Sequence, residues 1–140
     1  MKNDLLEKFK EDFRDFQQID WSNLGQYYAD DILFKDPIHE IRGLVSLEDY
    51  FSALNEGLND CRFEYLDQVC SEHSAYLKWI MRFRHVKLGD EVIEVRGVSH
   101  LRWNDKIEYQ EDFYDMGAML YERLPVLGNV TRWIRLRMAS

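Results

Sequence analysis

The sequence predicts a single α+β domain in which a curved antiparallel sheet packs on three N-terminal helices and encloses a pocket. Three observations predict it. Apolar residues follow a helical period up to about residue 59, then switch to alternation from residue 61 onward. A chain of 140 residues suits one domain built on one core. Aromatics reach 14% of the chain, with eight Tyr, eight Phe and four Trp, which points to a heavily aromatic core or an aromatic-lined cavity.

The elements follow in order. Over residues 4 to 18, Leu5, Leu6, Phe9, Phe13 and Phe16 recur at three- and four-residue spacing, the stripe of an amphipathic helix. A second short helix is expected from about Asp20 to Ala29, with Trp21, Leu24, Tyr27 and Tyr28 on its apolar side and Asp20 or Ser22 as its cap. Pro37 blocks a helix in residues 31 to 43, where Ile, Leu and Phe suggest a short strand and a turn. Residues 46 to 59 open with a capping box, Ser46 preceding Asp49 by three. Leu47, Tyr50, Phe51 and Leu54 form the buried stripe of this third helix.

Four strands are then expected, at residues 61 to 70, 75 to 87, 91 to 103 and 107 to 114, with Gly89-Asp90 and Asn104-Asp105 as turns. In the second of them Leu77, Trp79, Met81 and Phe83 share one face, and Lys78, Arg82 and Arg84 share the other. Helices followed by such a meander make an α+β domain. Residues 116 to 140 exceed what the body needs and form a C-terminal extension, interrupted by Pro125 and Gly128. It is expected to fold back on the body, the pocket mouth or a dimer face.

Composition narrows the function classes. The net charge of -8 disfavours a polyphosphate partner, so no nucleic acid is expected. Arg123, Arg132, Arg135 and Arg137 cluster in the tail, where they read as the charged face and last turn of a final helix. Cys61 and Cys70 lie nine residues apart in one strand, too distant to be bridged. Reduced thiols and the lack of an apolar leader core in residues 1 to 13 suit a cytoplasmic location. No apolar stretch is long enough for a membrane span. With no Gly-rich phosphate loop, nucleophile elbow or metal-ligand cluster, no cofactor and no metal are expected.

Two segments carry a family resemblance. Residues 27 to 43, YYADDILFKDPIHEIRG, resemble the opening of the nuclear transport factor 2-like superfamily. Residues 107 to 115, IEYQEDFYD, resemble the closing strand of SnoaL-like polyketide cyclases and limonene epoxide hydrolases. The resemblance spans about residues 5 to 115. It implies a cone-shaped sheet, the cystatin-like roll, and a homodimer formed through the sheet. It also implies a register in which Gly97, Ser99, Leu101, Gln110, Asp112 and Tyr114 face inward with Trp79, Met81 and Phe83.

The resemblance supplies candidate chemistry residue by residue. The carboxylate base of steroid Δ5-isomerases falls on Asp36. Their first-helix tyrosine falls near Asp12 or Phe13 and is missing, and their third-strand aspartate falls on Ser99. The acid/base aspartate of SnoaL-type cyclases falls on Asp112. The Arg-x-Asp pair of limonene epoxide hydrolases falls in VRGVSHLR, which has no Asp.

The candidate catalytic residues are therefore Asp112 and Asp36, and the candidate ligand-binding residues are Tyr114, His39, Trp79, Met81, Phe83, Ser99, Leu101 and Gln110. A carboxylate among apolar groups has its pKa raised by desolvation, which makes it a usable acid or base near neutral pH. Each candidate also has a plainer reading. Asp112 pairs with an internal arginine or backbone donor; Asp36 before Pro37 forms a turn. Trp79, Met81 and Phe83 serve as core or pocket wall, while His39 lies in a loop near the mouth. His100 alternates outward with Lys78, Arg82, Arg84, Arg96, Arg102 and Glu111, on a solvated or dimer surface.

Two functions remain open. One is an acid/base isomerase, cyclase or hydrolase acting on a small apolar molecule through Asp112, helped by Asp36, Tyr114 or His39. The other is a non-catalytic module binding an apolar ligand or a partner. An adaptor using a tail patch of Leu120, Leu124, Val126 and Trp133 is a third possibility.

Overall fold

The computed structural model describes residues 4–115 and residue 138. Helix α1 runs Asp4–Phe13, followed by short 3-10 helices at Phe16–Gln18 and Trp21–Gln26. Strands β1 (Tyr28–Lys35) and β2 (Glu40–Arg42) precede helix α2 (Leu44–Glu56). Strands β3 (Leu58–Cys70), β4 (Ser74–His85), β5 (Ile93–Trp103) and β6 (Ile107–Tyr114) complete the described body. The C-terminal extension, with its arginine cluster and the patch around Leu120, Leu124, Val126 and Trp133, lies outside the described residues.

The six strands form one sheet in the order β2-β1-β6-β5-β4-β3. The meander from β3 to β6 is antiparallel, as the alternation predicts. Strand β1 joins it at the far side of β6, and that pair is parallel. The helices and the inner face of the sheet enclose one core.

Helix α1 buries Leu6, Phe9 and Phe13, the predicted stripe. It stops at Phe13, short of the expected residue 18. There the backbone turns to meet β3: Phe63 N–H donates to Arg14 O at 2.9 Å, and Asp15 bridges to Arg62. Gln17 fastens the next turn to β3, donating to Leu58 O at 2.7 Å and accepting from Cys61 N–H at 3.1 Å.

Three local expectations are corrected. The second helix is a 3-10 turn ending at Gln26; Asp20 caps it by accepting from Ser22 N–H at 3.0 Å. Tyr28 and Ala29 start β1 instead. Pairing with β6 decides this, since Ile107 N–H donates to Tyr27 O at 2.9 Å. Local propensity is a weak preference that tertiary pairing overrides. The Ser46 capping box is not used, because α2 begins at Leu44 behind Gly43. Gly43 has φ 93°, a left-handed conformation suited to glycine, and its N–H donates to Ile32 O at 2.8 Å.

The third correction concerns β6. Strict alternation puts Ile107 with Tyr109 and Glu108 with Gln110. In the structure Ile107 is buried and Glu108 exposed. The register shifts beside Trp103, so that Trp103 pairs with Ile107 while Arg102 pairs with Tyr109. Glu108 is the extra residue, and beyond it Gln110, Asp112 and Tyr114 face inward as expected.

Cys61 and Cys70 are both free. No helix among the described residues is long and apolar enough to cross a membrane.

Candidate functional site

Alternation along β4, β5 and β6 sends every second side chain toward the helices. On β4 these are Leu77, Trp79, Met81 and Phe83; Leu77, Trp79 and Phe83 are buried. Between this face and the helices lies a cavity of about 240 Å³. Helix α1 and the turn after it contribute Phe9, Phe13 and Phe16, and α2 contributes Tyr50, Phe51 and Leu54. Strand β3 adds Leu58, Phe63 and Tyr65, and β4 adds Trp79, Met81, Phe83 and His85. Phe34, Asp36, Ser99, Gln110, Asp112 and Tyr114 complete the lining. Among the described residues no lysine or arginine lines it.

Trp79 takes its place because Gly97 has no side chain. A Cβ on Gly97 would lie 2.4 Å from the Trp79 ring. The indole N–H, so positioned, donates to Ser99 Oγ at 2.9 Å. Ser99 Oγ in turn donates to Asp112 Oδ1 at 2.6 Å. A second relay reaches the same oxygen: Tyr28 OH donates to Gln110 Oε1 at 2.6 Å, and Gln110 Nε2 donates to Asp112 Oδ1 at 3.0 Å.

Asp112 thus receives two neutral donors, both on Oδ1. Among the described residues nothing bonds Oδ2, and no cation pairs with the carboxylate. Burial pushes the Asp112 pKa up to about 6; the bonds from Ser99 and Gln110 oppose the rise, and the negative charges of Asp36 and Glu111 add to it. At neutral pH the group is mostly ionised, yet poised to take or give a proton.

Asp36 is placed differently. Its side chain is 2% exposed. Oδ1 accepts from the backbone N–H of Ile38 at 3.0 Å and of His39 at 2.8 Å, and Tyr50 OH donates to Oδ2. Both oxygens are occupied. His39 Nδ1 stands 3.2 Å from Asp36 Oδ1 and 3.1 Å from Tyr50 Oη, with its ring against Tyr50. Asp36 therefore organises the Asp-Pro turn and holds Tyr50.

The structure brings Asp112, Asp36, Tyr114, Trp79, Met81, Phe83, Ser99 and Gln110 onto one cavity wall. Two candidates fall outside it. Leu101 is fully buried in the core; it pairs with Ala75 and Gln110, one step past Ser99 on its face of β5. His39 is exposed and reaches the site only through Asp36 and Tyr50.

Four residues escaped the sequence reading. Tyr28 was hidden by its assignment to a helix. Tyr50 was read as a core stripe residue. Tyr65 follows Cys61 and Phe63 at period two, a signal the alternation of β3 carries. His85 ends β4 on the face of Phe83. The hydroxyls of Tyr65 and Tyr114 form no hydrogen bond with any described residue, and burial pushes both phenols up, so both remain protonated donors. Near the first-helix position that the resemblance assigns to Asp12 or Phe13, Asp12 accepts from Tyr27 OH and pairs with Lys8 at 3.0 Å. Among the described residues no cluster of three or more His, Cys, Asp or Glu has a metal-holding arrangement.

Comparison with known proteins fits this geometry. The SnoaL-like domain family matches residues 10–108. That match ends before Asp112. A comparison with curated proteins gives no match. Among solved structures, a nuclear transport factor 2-like protein of unknown function from Burkholderia pseudomallei superposes with a TM-score of 0.74 at 14% identity, covering 85% of this chain and 96% of its own. A protein from Shewanella putrefaciens assigned as a SnoaL-like polyketide cyclase gives 0.69 at 14% identity, covering 85% and 95%. A protein from Catenulispora acidiphila with a ketosteroid isomerase-like fold, solved with trimethylamine, gives 0.71 at 10% identity, covering 86% and 92%. At these identities the likeness shows the fold alone.

Proposed function

This chain belongs to the SnoaL-like domain family, and we propose that it is an acid–base enzyme acting on a small apolar molecule with a carbonyl oxygen, with Asp112 as the catalytic base. The observation that carries this reading is a carboxylate in an apolar cavity, held on one oxygen by neutral donors, with its pKa pushed up to about 6.

In this reading Asp112 Oδ2 takes a proton from the carbon next to the carbonyl. The electron pair moves onto the carbonyl oxygen, where the hydroxyl of Tyr114 or Tyr65 donates a hydrogen bond. Return of the proton to another carbon isomerises the substrate; attack of the enolate on a second carbonyl cyclises it. Asp36 acts as a positioning group for Tyr50 and His39, while Trp79, Met81 and Phe83 hold the apolar body. A homodimer through the outer sheet face and a cytoplasmic location belong to the same proposal. Exposed Tyr76 and Phe113 on that face and the two free thiols support them.

The test is the base-dependent Kemp ring opening of nitrobenzisoxazole, an apolar compound with an acidic C–H. Wild type should accelerate it, and Asp112→Asn should lower kcat/KM by about 10²–10⁴-fold. In wild type kcat/KM should rise with pH up to about 6 and level off above it, because the base must be ionised. Equal rates in a folded Asp112→Asn protein would end the catalytic reading. Binding without acceleration at any pH would favour the non-catalytic module.

A further inference from the structure

The cavity has a polar group that the proposed chemistry does not use. His85 is the last residue of β4 and lines the cavity wall, half-buried. Its position relative to Asp112 follows from the ladder. Asp112 pairs with Ser99, and Ser99 pairs with Leu77. His85 is eight residues beyond Leu77 on the same face of β4. That is roughly 25 Å of extended strand, and less across a curved sheet. Trp79, Met81 and Phe83 fill the interval. Asp112 and His85 therefore sit at opposite ends of an aromatic wall.

The ring of His85 is held in one orientation. Lys87 N–H donates to Nδ1 at 3.1 Å, so in the neutral ring the proton sits on Nε2. The ring lies against Gly57, where a Cβ would come within 2.5 Å of Nε2 and 3.0 Å of Cε1. Gly57 O also accepts from Val86 N–H at 3.0 Å, which ties the end of β4 to the end of α2. Among the described residues no acceptor receives the Nε2 proton. A fixed donor at the end of the wall remote from Asp112, past Met81 and Phe83, selects for an acceptor at that end of the ligand.

We infer that His85 is a specificity-determining residue, and that the ligand is an elongated apolar molecule with a hydrogen-bond acceptor oxygen at the end remote from Asp112. This rests on the cavity being a ligand site, and not on Asp112 being a base. His85 takes a hydroxyl or carbonyl oxygen through Nε2–H.

The test uses methyl octyl, methyl decyl and methyl dodecyl ketones, each with and without an ω-hydroxyl group, titrated calorimetrically against the full chain. At the chain length that spans the wall, wild type should bind the ω-hydroxy ketone about fivefold more tightly than the parent. His85→Phe should abolish that preference without weakening the parent ketone, and His85→Gln, which keeps a donor near Nε2, should retain part of it. Asp112→Asn should leave the preference intact. Equal affinities at every length in wild type, or an undiminished preference in His85→Phe, would overturn the inference. Absence of any ketone binding would overturn it together with the cavity reading. A preference that persists where Kemp activity is absent would remove the base alone.

Discussion

The two faces of the sheet use the same strands for opposite electrostatic ends. On the outer face, charges meet charges in water. Arg82 donates to Glu64 at 2.9 Å and to Glu94 at 3.1 Å, and Arg84 pairs with Asp60. Tyr76 stacks on His100 at 4.2 Å, and Arg102 lies over Tyr109 at 4.7 Å. On the inner face, one residue away in each strand, the polar groups of β5 and β6 are Ser99, Gln110, Tyr114 and the buried carboxylate Asp112. Glu111 and Asp112 are adjacent carboxylates. Glu111 accepts from Tyr109 OH beside Arg102 and His100, and that bond helps push the tyrosine up to about 12. Asp112 has no cation partner among the described residues, and burial pushes it up to about 6. The reactivity of a carboxylate here is set by the medium its face meets, and strand alternation decides which medium that is.

The largest effect that would break this comparison concerns stability and pH. The Asp112 pKa is raised from 3.8 to about 6. Between these values the folded chain keeps a proton that the unfolded chain has released. Stability should therefore fall as pH rises through that window and stay lower above it, by about 3 kcal/mol. Asp112→Asn removes the buried charge, so at pH near 8 it should be more stable than wild type by a similar amount. Denaturant titration at several pH values checks this; identical pH profiles for the two proteins would show that Asp112 is not desolvated.

Gly97→Ala should come next, at about 1–3 kcal/mol of destabilisation, because its Cβ would meet the Trp79 ring and the Phe113 carbonyl. Urea midpoints and tryptophan fluorescence would register it. Ser99→Ala should act more locally. The Ser99 bond lowers the Asp112 pKa, so its removal should move the inflection of the kcat/KM profile upward by about one unit. An unmoved inflection would mean that the relay from Trp79 does not reach the base. The smallest effect belongs to the outer face. Arg82→Gln breaks two exposed ion pairs and should leave both the thermal midpoint and Kemp activity unchanged.

Much of the fold was legible because periodicity is a local property. The stripe Leu6, Phe9 and Phe13 marks α1, and the alternation of Trp79, Met81 and Phe83 marks the inner face of β4. Alternation put Gln110 and Asp112 on one face of their strand, and the register implied by the family resemblance turned that face and Ser99 inward. It could not detect the bulge at Glu108, which arises only when Trp103 and Ile107 pair. It could not show that Tyr28 leaves its helix, because the partner that draws it into a strand is β6, some eighty residues away.

The sequence by itself determined the α+β order and which residues share a face of each strand, from residue spacing and strand geometry; the family resemblance implied that the face carrying Asp112 turns inward. The tertiary structure alone decided that Asp36 has both oxygens engaged while, among the described residues, nothing bonds Oδ2 of Asp112. It also decided that Tyr65 and His85 share a wall with Asp112, and that Leu101 and His39 do not. The reason is physical: spacing assigns a side chain to a face, but hydrogen-bond partners and desolvation depend on which distant strands and helices close over that face.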